Sequence, residues 1–251
     1  APGKAAIFLD LAGTLAPIMP RPDEVVVLPA VAGLVRQLAY RYLAVTIVSG
    51  RPATEVRRIT GNPELIYIGN HGYETMLPGR AVVVCDEAQP HIPAIRELLE
   101  FSRSREDMTE VGVMVEDKSA TISLHYRRAH EPEAAQRYIE KQILPKARKL
   151  GLVATEGRKV IEIKPPVNVN KGVAVSALLD RLDCRRAVYI GDDTTDIDAL
   201  RELRRRKRRK DSVMVGIGVI SEEMPRDLPK SADLLVERVS GVELVLHGDA
   251  E

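Results

Sequence analysis

Two cysteines, Cys85 and Cys184, are all that this 251-residue chain holds, and neither has a Cys or His neighbour at metal-ligand spacing. That excludes a disulfide framework and a cysteine-rich zinc site, and reads as reduced thiols in a reducing compartment. No apolar run reaches the length needed to span a bilayer. The start APGKAAIFLD enters a strand almost at once, leaving no room for a secretory signal, so a cytoplasmic, membrane-free protein is expected. Net charge is also missing: 37 basic residues face 36 acidic ones, which gives no global attraction to nucleic acid or anionic lipid. The one strong charge run, Arg204 to Lys210, reads first as a solvated helix end and leaves polyanion binding as an alternative, with the lack of interleaved aromatic residues counting against RNA. Asn and Gln are scarce beside Arg and Glu, a composition that hints at a thermophilic source.

What is present alternates in type. Apolar runs at 5–9, 44–48 and 65–68 predict strands, separated by helical patterns at 30–42 and 53–59. This is the signature of βαβ units and a parallel sheet. From about Tyr73 to Lys164 the character changes. Short strand-like runs at 81–84, 111–115, 121–126 and 160–163 surround helices near 93–103 and 132–150, predicting an α+β insertion that ends at Lys164-Pro165-Pro166. The first pattern then resumes with a helix at 171–182, a strand at 187–190, a helix at 195–206, and strands at 212–215 and 233–236. The expected fold is α/β with a Rossmann-like parallel core. Residues 1–75 and 166–251 form that core, and residues 76–165 form the inserted domain.

Four polar clusters follow expected strands of the parallel part: Asp10, Ser49-Gly50-Arg51, Gly69-Asn70-His71-Gly72 and Gly191-Asp192-Asp193. In an open parallel sheet such ends share one edge, where ligands bind. Each cluster also has a plain local reading. Asp-x-x-Gly-Thr makes an ordinary turn, Ser-Gly-Arg is a common strand-to-helix connection, and Asp193 or Asp196 suits a helix cap. Lys171 opens a helix, where the dipole disfavours a cation, and taken locally it is an exposed lysine. Jointly they give a carboxylate nucleophile, acidic oxygens for a hard cation, a hydroxyl beside backbone N–H groups and a lysine. Phosphoryl transfer through an aspartyl-phosphate requires that set.

The blocks IFLDLAGTLAPI, VTIVSGRP, YIGNHGYE, VEDKSATISLHYR, VIEIKPPVNVNKGVAVSALL and YIGDDTTDIDAL resemble, in order, those of a haloacid dehalogenase-superfamily phosphatase, and within it the trehalose-6-phosphate phosphatase family. The resemblance implies a Mg²⁺-dependent hydrolysis of trehalose 6-phosphate to trehalose and phosphate. Asp10 would attack phosphorus, Ser49 would bind the transferring group, and Lys171 would neutralise charge. Asp192 would ligate the metal together with Asp10 and the backbone carbonyl of Ala12, while Asp193 and Asp196 orient metal-bound waters. Gly50, Arg51, Asn70 and His71 would shape the crevice floor. The insertion would be a mobile cap that reads the sugar through Glu116, Lys118, Arg127 and Glu162. Partners implied are a small-molecule sugar phosphate and a trehalose-6-phosphate synthase, with no nucleic acid.

Position 12 departs from the family pattern Asp-x-Asp-Gly-Thr. The residue that would protonate the leaving sugar oxygen and then activate water is Ala12, which does neither. Binding is therefore expected to persist, with catalysis lowered by roughly 10²–10⁴, the usual worth of a positioned acid or base. An engineered substitution and a natural non-catalytic relative both stay open, as do phosphatases of glucosyl- or mannosyl-3-phosphoglycerate or sucrose 6-phosphate.

Overall fold

The computed structural model describes residues 2–19, 24–157, 159–222 and 224–250. Its first stretch holds β1 (Ala6–Asp10), α1 (Pro29–Arg41), β2 (Ala44–Val48), α2 (Ala53–Thr60), β3 (Ile66–Gly69), β4 (Glu74–Met76) and β5 (Val82–Val84). There follow α3 (Ile92–Arg103), α4 (Glu106–Glu110), β6 (Met114–Asp117), β7 (Ile122–His125), α5 (Pro132–Tyr138), α6 (Leu144–Lys149), β8 (Val153–Gly157) and β9 (Val160–Lys164). The last stretch holds α7 (Lys171–Arg181), β10 (Arg186–Gly191), α8 (Thr194–Lys207), β11 (Val213–Ile220), α9 (Leu228–Ser231), β12 (Leu234–Glu237) and α10 (Arg238–Ala250). The chain divides into two compact units: one runs to Val83 and resumes at Val169, and the other is Val84–Asn168.

The first unit is built on a sheet of order β12-β11-β10-β1-β2-β3-β4-β5, with β12 through β3 parallel and β4 antiparallel to β3. Every residue of β1 and β2 is buried, as a strand covered on both faces requires. Alternate residues feed two separate cores. Ile7, Leu9, Val45 and Ile47 pack with Val35 and Leu38 of α1 and Val242 and Leu246 of α10. Ala6, Phe8, Ala44 and Val48 pack on the other face with Val175, Leu178 and Leu179 of α7 and Ile197, Leu200 and Leu203 of α8. From β1 the order runs outward in both directions, so the carboxyl ends of β1 and β10 flank a topological switch point.

The second unit is an antiparallel sheet of order β6-β7-β9-β8. Its core gathers Ile95, Leu98 and Leu99 of α3 with Ile122, Leu124, Ile161 and Ile163. Three expectations need correction. The strand expected at 81–84 inside the insertion ends the large sheet as β5. The helix expected over 132–150 is two helices joined by a wide π turn at Ile139–Ile143. Pro145 explains the break, since it lacks an N–H and its ring collides with the carbonyl four residues earlier. The strand expected at 111–115 begins only at Met114, because Val111 caps α4 and Gly112 turns the chain at φ +76°.

Candidate active site

Parallel pairing places Asp10 beside Val48, and Leu9 beside Ile190, so the chain turns after β1, β2 and β10 leave the sheet at one level. Asp10, Ser49 and Asp192 are buried there, at 5%, 4% and 4% exposure. Lys171 joins them at 2% exposure. This overturns its local reading as an exposed lysine. Asn170 caps α7 by accepting from Val173 N at 2.9 Å, and Gly172 lets that helix approach α8 so closely that a Cβ would lie 2.5 Å from the Asp198 carbonyl oxygen. The lysine thereby donates from Nζ to Asp10 Oδ1 at 2.6 Å and to Asp196 Oδ1 at 2.7 Å.

Asp196 is saturated. Its Oδ1 accepts from Lys171 and from the Tyr189 hydroxyl, and its Oδ2 accepts from the backbone N–H groups of Asp192, at 3.0 Å, and Asp193, at 2.9 Å. Those four donors occupy the positions a carboxylate offers. Asp193 is exposed and spends its own carboxylate on a capping box with Asp196 at the start of α8. By contrast, Asp10 Oδ2 and Asp192 Oδ2 accept from no described residue, while Asp192 Oδ1 takes a bond from Thr14 Oγ1 at 3.3 Å. Gly13 makes room for that carboxylate: its φ is +91°, and a Cβ there would lie 2.0 Å from Asp192 Oδ2.

Burial pushes the Asp10 carboxyl well above its ordinary pKa, and Lys171 offsets this only in part because Asp196 and Asp192 add repulsion. Burial and Asp196 likewise push Asp192 up to about 7. Burial works against the Lys171 charge, but Asp10 and Asp196 outweigh it and hold the ammonium above its usual range. Asp10, Asp192 and Asp196 present oxygens within 4.8 Å of one another. A divalent cation fits this donor set: hard oxygens, two of them without protein donors, in a cluster whose repulsion a cation would relieve. Asp193 lies outside that cluster, and Asp196 is committed to four protein donors.

The neighbouring loops are tied to each other by backbone. Asn70 N donates to Arg51 O at 2.8 Å and His71 N to Ser49 O at 3.0 Å, with Asn70 and His71 both at positive φ, 52° and 54°. The His71 ring lies where a Cβ on Gly50 would sit, so a side chain after Ser49 would displace that ring. Arg51 N donates to Ser49 Oγ at 3.3 Å, and the Arg51 guanidinium pairs with Glu55. Glu74, buried to 2% exposure, accepts from Ala53 N at 2.9 Å and satisfies an orphan donor at the start of α2. Thr14, Glu74 and Tyr189 escape sequence reasoning. Thr14 stands in the Gly-Thr pair, whereas Tyr189 looks like one more apolar strand residue.

In the second unit, register places Glu116, Ser123, Glu162 and Thr155 in one row across the four strands. Glu116 meets His125 at 2.6 Å, and Lys118 faces Glu162 at 3.7 Å. Arg127 is exposed beyond the end of β7.

With this geometry in hand, comparison with known proteins is informative. A family model described as trehalose-phosphatase matches residues 8–236. The chain belongs to that family. It is 32% identical over 256 residues to probable trehalose-phosphate phosphatase G of Arabidopsis thaliana, covering 89% of this chain and 63% of that one. It is 32% identical over 201 residues to a trehalose-phosphate phosphatase of Mycobacterium marinum, covering 78% of this chain and 50% of that protein. The chain thus spans about half to two thirds of the length of such relatives. Among solved structures, a trehalose-6-phosphate phosphatase related protein superposes with a TM-score of 0.77 at 24% identity, covering 98% of this chain and 96% of that one. A haloacid dehalogenase-like hydrolase from Bacteroides thetaiotaomicron gives 0.65 at 12% identity, covering 98% and 99%. These likenesses establish the α/β haloacid dehalogenase fold. No helix among the described residues is long and apolar enough to cross a membrane.

Proposed function

We propose that the chain carries the apparatus of a Mg²⁺-dependent phosphomonoester hydrolase for trehalose 6-phosphate, slowed by Ala12. The observation that carries this reading is the buried Asp10–Lys171–Asp196 chain beside Asp192, with one open oxygen on Asp10 and one on Asp192. Family membership and the names of the relatives support the substrate.

Asp10 Oδ2 is the nucleophile: it forms a bond to phosphorus as the bond from phosphorus to the sugar oxygen breaks. Lys171 fixes the Asp10 carboxylate through Oδ1 and supplies positive charge where phosphoryl charge develops. Asp196 holds that lysine, and Tyr189 with two backbone N–H groups holds Asp196. Asp10 and Asp192 would hold Mg²⁺, which supplies Lewis-acid neutralisation of the phosphate oxygens. Ser49 stands at the same edge to hydrogen-bond the phosphoryl group. The departing sugar oxygen needs a proton, and the water that hydrolyses the acyl phosphate must lose one. Ala12 supplies neither transfer, so both fall to solvent, lowering turnover by roughly 10²–10⁴. In the second unit, the Glu116–His125 and Lys118–Glu162 pairs carry the donors and acceptors that sugar hydroxyls require. We infer that this unit selects the sugar, with Arg127 at its margin.

Ala12 also favours a second reading, a protein that binds a sugar phosphate without turning it over. Phosphate release from trehalose 6-phosphate, glucosyl-3-phosphoglycerate and sucrose 6-phosphate by Ala12→Asp protein separates these readings. Preference for trehalose 6-phosphate supports the first, preference for another ester removes that substrate, and silence on all three leaves binding alone.

A further inference from the structure

The basic run Arg204 to Lys210 has no part in the site above, and it is the solvated end of α8 that its sequence suggests except at Arg206. Arg206 is only 3% exposed. Its Nε and Nη2 are held by Ser176, Glu202 and Asp180, whereas its Nη1 donates to no described residue. Arg204 donates to the carbonyls of Lys230 and Ala232, and Lys207 pairs with Asp233 at 3.0 Å. These contacts account for the run's first half, as does the negative end of the α8 dipole. They do not account for Arg209, Lys210 and, on the turn before β10, Arg185.

Those three line a cavity of about 310 Å³ together with Arg206, Asp180 and Asp183. Four cations face Asp180 and Asp183 there, and Glu202 holds Arg206 as well, so the cations without a close carboxylate are Arg185 and Lys210. Arg185 and Lys210 pair with no carboxylate among the described residues, and Arg209 reaches Asp180 only at 3.6 Å. A second hollow of about 370 Å³ shares Asp183 and Arg185 and adds Lys4, Arg186 and Asp211. The cavity sits where β10 begins at Arg186, and Asp192 lies six residues further on, just past the strand's other end and about 20 Å away at the usual strand rise. It is therefore distinct from the carboxylate cluster.

We propose that this cavity binds a small phosphate-bearing dianion, with the buried Arg206 Nη1 as the fixed donor and Arg185 and Lys210 as the flexible ones. A guanidinium pinned on two of its three nitrogens is pre-organised for an oxyanion, and Arg185 and Lys210 add two cations that no carboxylate among the described residues pairs with. The ligand is either inorganic phosphate or an organic phosphate whose remainder reaches into the second hollow.

The test uses ¹⁵N-labelled full chain in EDTA, titrated with inorganic phosphate and separately with glucose 6-phosphate while amide shifts are followed. The expected result is saturable shifts at Arg185, Ser212 and Met214, weakened at least tenfold in R185Q/K210Q. Both substituted residues are exposed, so the variant should melt at the parent's temperature. Tighter binding of glucose 6-phosphate would assign the organic part to the second hollow, and equal binding would assign the phosphate group alone. Shifts confined to Ser49 and Asp192, affinity unchanged in the double variant, or the same shifts from sodium chloride at equal ionic strength would each overturn the proposal. So would binding of long polyphosphate but not of either small ligand.

Discussion

The two units hold their polar side chains by different physics. At the carboxyl edge of the large sheet, Lys171 and Asp196 are 2% and 0% exposed, and a network of N–H and O–H donors fixes every atom of the Asp196 carboxylate. In the second unit the Lys118–Glu162 and Glu116–His125 pairs are 14–35% exposed. Groups that must meet a phosphoryl centre within a few tenths of an ångström sit on strand ends and helix starts whose packing over-determines them. Groups suited to hydroxyls sit on a wetter surface where each pair has freedom to re-form around a ligand. Buried charge is costly unless paired, so the first region is fragile and the second tolerant.

The largest way to break this contrast is Lys171→Met. It leaves Asp10, Asp192 and Asp196 without their buried counter-ion, which typically costs about 3–5 kcal/mol. In the Ala12→Asp background it should also lower kcat by about 10²–10³, the loss seen when one charge-stabilising donor is removed. Chemical denaturation with steady-state kinetics checks both, and a loss below 1 kcal/mol would show that the network is not under the stress described.

Gly13→Ala comes next. A side chain at φ +91° is strained, and its Cβ would occupy the place of the Asp192 carboxylate. The expected destabilisation is about 1–3 kcal/mol with weakened Mg²⁺ binding, read by calorimetry. Metal-dependent stability should also carry a pH signature. The Asp192 pKa is raised to about 7, so between the ordinary carboxylate range and pH 7 the folded metal-free protein holds a proton that the unfolded chain has lost. Its stability is then greatest at low pH and falls as pH rises through 7, with Asp10 acting in the same direction. The melting temperature without metal should drop from pH 5 to pH 8, and added Mg²⁺ should raise it more at pH 8. A Mg²⁺ effect equal at both values would contradict the assignment.

The smallest effect is expected from Glu162→Gln. A half-exposed pair is worth about 0–1 kcal/mol, so folding should scarcely change. With Asp at position 12, KM for the sugar phosphate should rise several-fold while kcat holds, the mark of lost ground-state binding.

Legibility follows the same division. The strand at 44–48 is readable to the residue because both of its faces are buried and four of its five residues are apolar. β8, Val-Ala-Thr-Glu-Gly, is exposed at every position and has no apolar period to read. Asp10, Lys171 and Asp192 stand out only as a set that follows the strands and opens the helices of one parallel sheet, since each alone has an ordinary local reading. Tyr189 was not, since its hydroxyl acts only once α8 has brought Asp196 to it. Asp193 and Asp196 look equivalent in sequence, and their different roles come from the capping geometry that turns one outward and locks the other in. The basic run reads as surface and is surface except at Arg206, whose burial among Ser176, Asp180 and Glu202 the sequence does not show.

The measurement closest to the central claim is Mg²⁺-dependent phosphate release from trehalose 6-phosphate by Ala12→Asp protein beside the unaltered chain. The account predicts turnover in the substituted protein higher by roughly 10²–10⁴, with weak release from the unaltered one. Equal, substantial turnover from both would show that position 12 carries no acid–base role, and silence from both would remove trehalose 6-phosphate as the substrate.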